Sequence, residues 1–162
     1  MSVLRLRRVR VLDERVELVL EFDVGDAPDA ARRGTAAERL LEWLPGLARH
    51  RCSTEVDHPF TEEMRDTEVP HLFEHVVLEV MACAGSPRTV AGHTVWRRGE
   101  GAFRVSIFDD DDAVCAGAAR LALSLIEHAL GDGAPVDIHA RIADVAALRT
   151  TPNRQPGTID PR

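Results

Sequence analysis

His71 and His75 stand four residues apart, Glu74 directly precedes His75, and Glu79 follows four residues later. On a helix this spacing stacks both imidazoles and the Glu79 carboxylate along one stripe, a turn apart. Two histidines and a carboxylate suit zinc, and three protein ligands leave a fourth position for water. The pattern predicts His71, His75 and Glu79 as metal ligands, with Zn2+ as the cofactor. Glu74 is the expected catalytic base, because it can take a proton from metal-activated water without itself coordinating. His-x-x-Glu-His is also the inverted zincin pattern of metallopeptidases. The plain alternative is a polar helix face wetted by solvent or covered by a subunit, with its histidines hydrogen-bonded.

The helix that must carry these groups runs over residues 70–84, with Pro70 suited to its first turn and Gly85-Ser86-Pro87 to its end. Leu72, Phe73, Val76, Val77, Val80 and Met81 cover its broad apolar side. No arginine falls between Pro70 and Pro87, so the acids lack a cation on their own helix. Upstream, residues 3–12 and 15–23 read as two strands; Val16, Leu18, Leu20 and Phe22 alternate with polar residues. Residues 25–34 read as a loop, and a helix from Thr35 stops at Pro45-Gly46. A polar connection fills 50–66. Downstream come a hairpin of 89–97 and 102–108, a helix over about 113–130, and a last strand at Val136–Ile142. The expected fold is α+β: a two-layer sandwich of helices on a mainly antiparallel sheet. Residues 1–149 form a single domain, and 150–162, with Pro152, Pro156 and Pro161, form a mobile or extended tail.

Composition narrows the chemistry. All 20 basic residues are arginine, and neither lysine nor tyrosine occurs. This excludes a Walker-type phosphate lysine, a lysine Schiff base and a tyrosine general acid. A net charge of −7 argues against nucleic acid as a partner. No run of eighteen apolar residues predicts a membrane span, and the arginine-interleaved N-terminus does not read as a signal peptide. A cytoplasmic location is the expectation. Cys52, Cys83 and Cys115 form no Cys-x-x-Cys pair, so neither a thiolate knuckle nor a disulfide framework is expected. Cys83 and Cys115 read as small core residues.

His50-Arg51-Cys52-Ser53, then Pro70-His71-Leu72-Phe73-Glu74-His75-Val76-Val77-Leu78-Glu79 and Ala84-Gly85, resembles the N-terminal domain of cyanophycin synthetase. The resemblance covers roughly 40–130 and is most specific over 70–85. It implies a domain that anchors a peptide-like polymer or, in some members, cuts it as a zinc hydrolase related to pitrilysin-like peptidases. The ATP-grasp and ligase domains of that family are absent from these 162 residues. Where the family commonly has Gly-Arg-Thr-Arg, this chain has Gly92-His93-Thr94-Val95. That departure bears on the substrate.

The leading expectation is therefore a zinc-dependent hydrolase, a metallopeptidase or amidohydrolase, cleaving amide bonds in a peptide or cyanophycin-like polymer. Its alternative is a non-catalytic polymer- or protein-binding module with a vestigial or structural metal site. A homo-oligomer that pairs half-sites is a further option. Glu127 rivals Glu79 as third ligand, because pitrilysin-like enzymes take theirs from a downstream helix. Asp109 to Asp112 read as helix-capping acids before they read as a magnesium site. His50, His58 and His139 read as surface or hydrogen-bonded residues.

Overall fold

The computed structural model describes residues 3–23, 25, 27–53, 57–109, 111–149 and 156–161. Strands β1 (Leu4–Val11) and β2 (Val16–Phe22) pair antiparallel, as their alternation predicts. A register shift between Leu6 and Arg8 lets Leu4, Leu6, Val9 and Val11 all point inward, although Arg7 and Arg8 are both exposed. On the outer face the buried Glu17 is held by Arg10 at 3.1 Å and Arg104 at 3.4 Å.

Helix α1 (Ala30–Trp43) is followed by a 3-10 turn at Pro45–Arg49 and a short hairpin of β3 (Arg51–Ser53) and β4 (Asp57–Pro59). Helix α2 (Val69–Cys83) comes next, then β5 (Ala91–Arg97), β6 (Ala102–Phe108), α3 (Asp112–Leu130), α4 (Ile138–Ala147) and β7 (Gly157–Ile159). The five-stranded sheet has the order β5-β6-β2-β1-β7 with every neighbouring pair antiparallel. Its inner residues Leu18, Leu20, Val105 and Ile107 share one buried core with Phe73, Val76 and Val80 of α2 and Leu121 and Leu125 of α3. This is the α+β sandwich expected from the sequence. By length and composition α3 could cross a membrane, but 67% of its apolar window is buried inside the domain as the core helix.

Three boundaries differ from expectation. The first helix begins at Ala30, five residues before Thr35, because the Asp29 carboxylate accepts from Arg32 N and caps it there. Residues 138–147 are a helix where a strand over 136–142 was expected. Ile138, Ile142 and Val145 share a helical face against α3, and Asp137 caps the first turn by accepting from Ala140 N. Their β-branched character imitated a strand. In the tail, residues 150–155 and 162 lie outside those described, while Gly157–Ile159 pairs with Val9–Val11.

Candidate metal centre and cleft

Helix α2 is apolar on the side facing the sheet, and its other side is also covered. Glu74, His75 and Glu79 are all buried, beneath the Pro45–Cys52 segment on one flank and β5 on the other. Two glycines make that cover possible. A Cβ on Gly46 would fall 1.7 Å from Glu79 Oε1, and one on Gly92 would fall 2.7 Å from Glu74. The backbone approaches both carboxylates more closely than any side chain would allow. Between the flanks lies a cleft of about 670 Å³, walled by Arg49–Cys52, the outer face of α2, and β5.

The two predicted histidines meet here. His71 Nε2 and His75 Nε2 are 3.2 Å apart, and Cys52 Sγ lies 3.3 Å from the latter and 3.7 Å from the former. Phe60 stacks on the His75 ring at 3.7 Å and 12°, which fixes its plane. Cys52, His71 and His75 thus present three ligand atoms within 4.8 Å of one another. Glu79 is not among them. Its carboxylate receives His50 Nε2 at 2.9 Å and a two-pronged grip from Arg88 at 2.8 and 3.2 Å.

The hydrogen-bond chain links the histidines to the carboxylates of Glu79 and Glu63. Burial works to raise the Glu79 pKa, but the bonds from His50 and Arg88 prevail and bring it to about 2. An ionised Glu79 only accepts, so His50 donates to it from Nε2. His50 Nδ1 lies 3.1 Å from His75 Nδ1, so one of the two donates to the other. Burial, then the neighbouring His71 and His50, hold His75 neutral with a pKa of about 2, so one of its ring nitrogens carries a lone pair. Burial likewise lowers the His71 pKa. Its Nδ1 faces Thr67 Oγ1 at 2.8 Å and Glu63 Oε1 at 3.4 Å; with Glu63 held ionised, a proton on Nδ1 is favoured and Nε2 is left bare. Cys52 Sγ donates to Glu63 Oε1 at 2.9 Å, and burial, followed by that bond, pushes its thiol pKa far up. Two imidazole nitrogens and a sulfur therefore converge on one point. Cys52, His71 and His75 are the residues that could hold a divalent ion.

Glu74 differs from Glu79. It is 5% exposed, its hydrogen-bond partner is Thr94 Oγ1 at 2.5 Å, and burial raises its pKa to about 7 against that bond. It is close enough to Cys52 to act on the thiol electrostatically.

The other sequence candidates fall elsewhere. Glu127 on α3 lines neither the cleft nor the donor cluster, and its neighbour His128 stacks on Trp43. Asp111 caps α3 by accepting from Val114 N, as capping predicts, and Asp110 lies outside the described residues. His58 bonds Glu63 at 3.1 Å and forms with it and Cys52 a second group of ligand atoms within 4.8 Å of one another, whereas His139 is exposed on α4. Cys115 is buried as expected, whereas Cys83 is exposed. The residues missed are Cys52 as a donor, His50 as the link to Glu79, and Thr94 on Glu74. The signal for the first two was His50-x-Cys52 in extended chain, which puts both beside one partner only once the fold is known.

Residues 17–131 match the family described as Cyanophycin synthase-like N-terminal domain. Cyanophycin synthetase of Geminocystis herdmanii (strain PCC 6308) is 32% identical over 83 residues, 51% of this chain. The aligned part is 9% of that relative's length.

Proposed function

The chain belongs to the cyanophycin synthase-like N-terminal domain family, and from that premise we propose that it is an accessory domain binding a peptide-like polymer in the cleft beside α2. One observation carries this reading: the cleft is lined by charged residues of both signs, Arg49, Arg51 and Arg88 against Glu68 and Glu74, with the half-exposed Trp96 among them. A β-aspartyl-arginine polymer carries carboxylates and guanidinium groups to match, and the aromatic ring offers its face to the latter. Titrating that polymer into the protein should give saturable binding, weakened several-fold by Trp96→Ala. Absence of binding by the folded wild type would remove this reading.

A second reading, hydrolysis of an amide in the same polymer, is favoured by Glu74. Cys52, His71 and His75 would hold a divalent ion, which supplies Lewis acidity to a carbonyl and a water. Glu74, buried next to His75 and poised near neutrality, would accept the water's proton and deliver it to the departing amine. Water adds across the C–N bond, leaving a carboxylate and an amine. Glu74→Gln should keep the metal and the fold yet lower release of new amino termini by ~10²–10⁴-fold. Binding without any cleavage by zinc-loaded wild type would leave the accessory role alone.

A further inference from the structure

The two edges of the sheet are unlike. β7 closes one side with three residues, whereas β5 closes the other with seven, and among the described residues nothing pairs with its outer edge. Long open edges invite a further strand, and proteins guard them with lysine, proline, bulges or a covering element. β5 has no lysine, no proline and no irregularity in its register with β6, and its one arginine, Arg97, is its last residue.

The cleft runs along that edge. Successive strand residues point to opposite faces, so a cleft on one face meets only every second residue. Gly92 and Thr94 face α2, as their approach to Glu74 shows, which puts Ala91 and His93 on the other face. Yet Ala91, Gly92, His93, Thr94 and Trp96 all line the cleft. Both sets border the cleft, as they do where a cleft meets the open edge of a strand. Side chains at the start of the strand are small, and the cleft is also lined by Arg49, by Arg51, which Asp57 holds at 2.9 Å, and by Glu68 and Glu74.

We propose that the ligand docks as an added strand on β5, its extended backbone hydrogen-bonded to the outer edge of Ala91–Arg97 and its charged side groups meeting the arginines and acids that line the cleft. This rests on the reading of the cleft as a peptide-polymer site and specifies how the chain is held. Seven residues span about 23 Å at ~3.3 Å each, so an octapeptide covers the edge. Main-chain bonds then supply affinity and the alternating side chains supply specificity.

The test exploits the alternation of backbone groups in a strand. A fluorescein-labelled octapeptide alternating aspartate and arginine is compared with two forms, N-methylated at every odd or at every even residue. Only alternate amides of an added strand face its partner. One methylated form should bind at least about tenfold more weakly, the other within about threefold of the parent, since a few lost hydrogen bonds suffice for tenfold. Alternate amides of β5 should also exchange more slowly with deuterium when the parent peptide is bound. Equal effects of the two methylation patterns, or binding that leaves β5 exchange unchanged, would overturn strand addition while leaving the cleft as a binding site. Concentration-dependent protection of β5 without peptide would assign the edge to a second copy of the chain and overturn it too. Failure of the octapeptide to bind would overturn it outright, and the polymer titration then shows whether the cleft reading fails with it.

Discussion

Two buried glutamates lie five residues apart on α2, and their surroundings drive them to opposite states. Glu79 sits under the Pro45–Arg49 turn with Arg88 and His50 on its oxygens, and is held ionised with a pKa of about 2. Glu74 sits under β5 with the Thr94 hydroxyl on one oxygen, and burial lifts its pKa to about 7. A buried carboxylate with full ionic partners is structural, and here it also orients His50 and through it His75, as carboxylates behind metal-binding histidines do. A buried carboxylate left near neutrality is able to move a proton at ordinary pH. The difference teaches that burial alone does not assign a role; the partners do.

The largest effect expected from this contrast is on stability at the Glu79 end. Glu79→Ala strips the partner from Arg88 and His50 and empties the space beneath Gly46. It should cost about 3–5 kcal/mol in urea denaturation, the usual loss when one member of a buried pair is removed. A loss below about 1 kcal/mol would mean that Glu79 does not anchor this end. Its stabilisation has a definite pH window. Because the folded pKa lies below the ordinary 4.5, the contribution is complete above that value and fades as pH falls towards about 2.

Glu74 runs the other way. Its folded pKa is raised, so its contribution is full below the ordinary 4.5 and falls as pH rises to about 7. In metal-free protein, the stability of Glu74→Gln relative to wild type should swing in favour of glutamine between pH 4 and pH 8. The swing is on the order of 2–3 kcal/mol, because each tenfold change in proton affinity is worth about 1.4 kcal/mol. A pH-independent difference would place Glu74 in the same class as Glu79. The smallest effect belongs to Thr94→Val. Its hydroxyl lowers the Glu74 pKa, so its loss should move the midpoint of the carboxyl titration, followed by infrared spectroscopy, upwards by about one pH unit, the scale of one neutral hydrogen bond. A downward move would contradict the assignment of that bond.

Much of this arrangement was legible in local sequence and some was not. The α2 helix, its two histidines and the β1–β2 alternation follow from periodicity, because the same residues that fix the element also fix its buried face. The α4 helix was hidden, since Val136, Ile138 and Ile142 suit a strand equally well and the face completed by Val145 appears only with the neighbouring helix. Within the site, helical spacing correctly brought His71 and His75 together, and it put Glu79 one turn from His75. Spacing says nothing of what reaches the helix from outside. Arg88, nine residues along, and His50, from before the hairpin, take the Glu79 oxygens, while Cys52 arrives at the two Nε2 atoms. These are long-range contacts created by the fold. The absence of a cation on the helix itself was a true observation, and the cation that meets Glu79 comes from beyond the helix, at Arg88.

Cobalt substitution tests the division between the two ends most directly. Co2+ bound by a thiolate gives an intense sulfur-to-metal charge-transfer band that nitrogen and oxygen ligands do not give. The wild type, loaded with one equivalent of Co2+, should show that band, with Cys52, His71 and His75 as the donors. Glu79→Gln should keep it, and Cys52→Ser should lose it. A cobalt spectrum without the band in wild type, or one abolished by Glu79→Gln and untouched by Cys52→Ser, would contradict the account and make Glu79 the ligand.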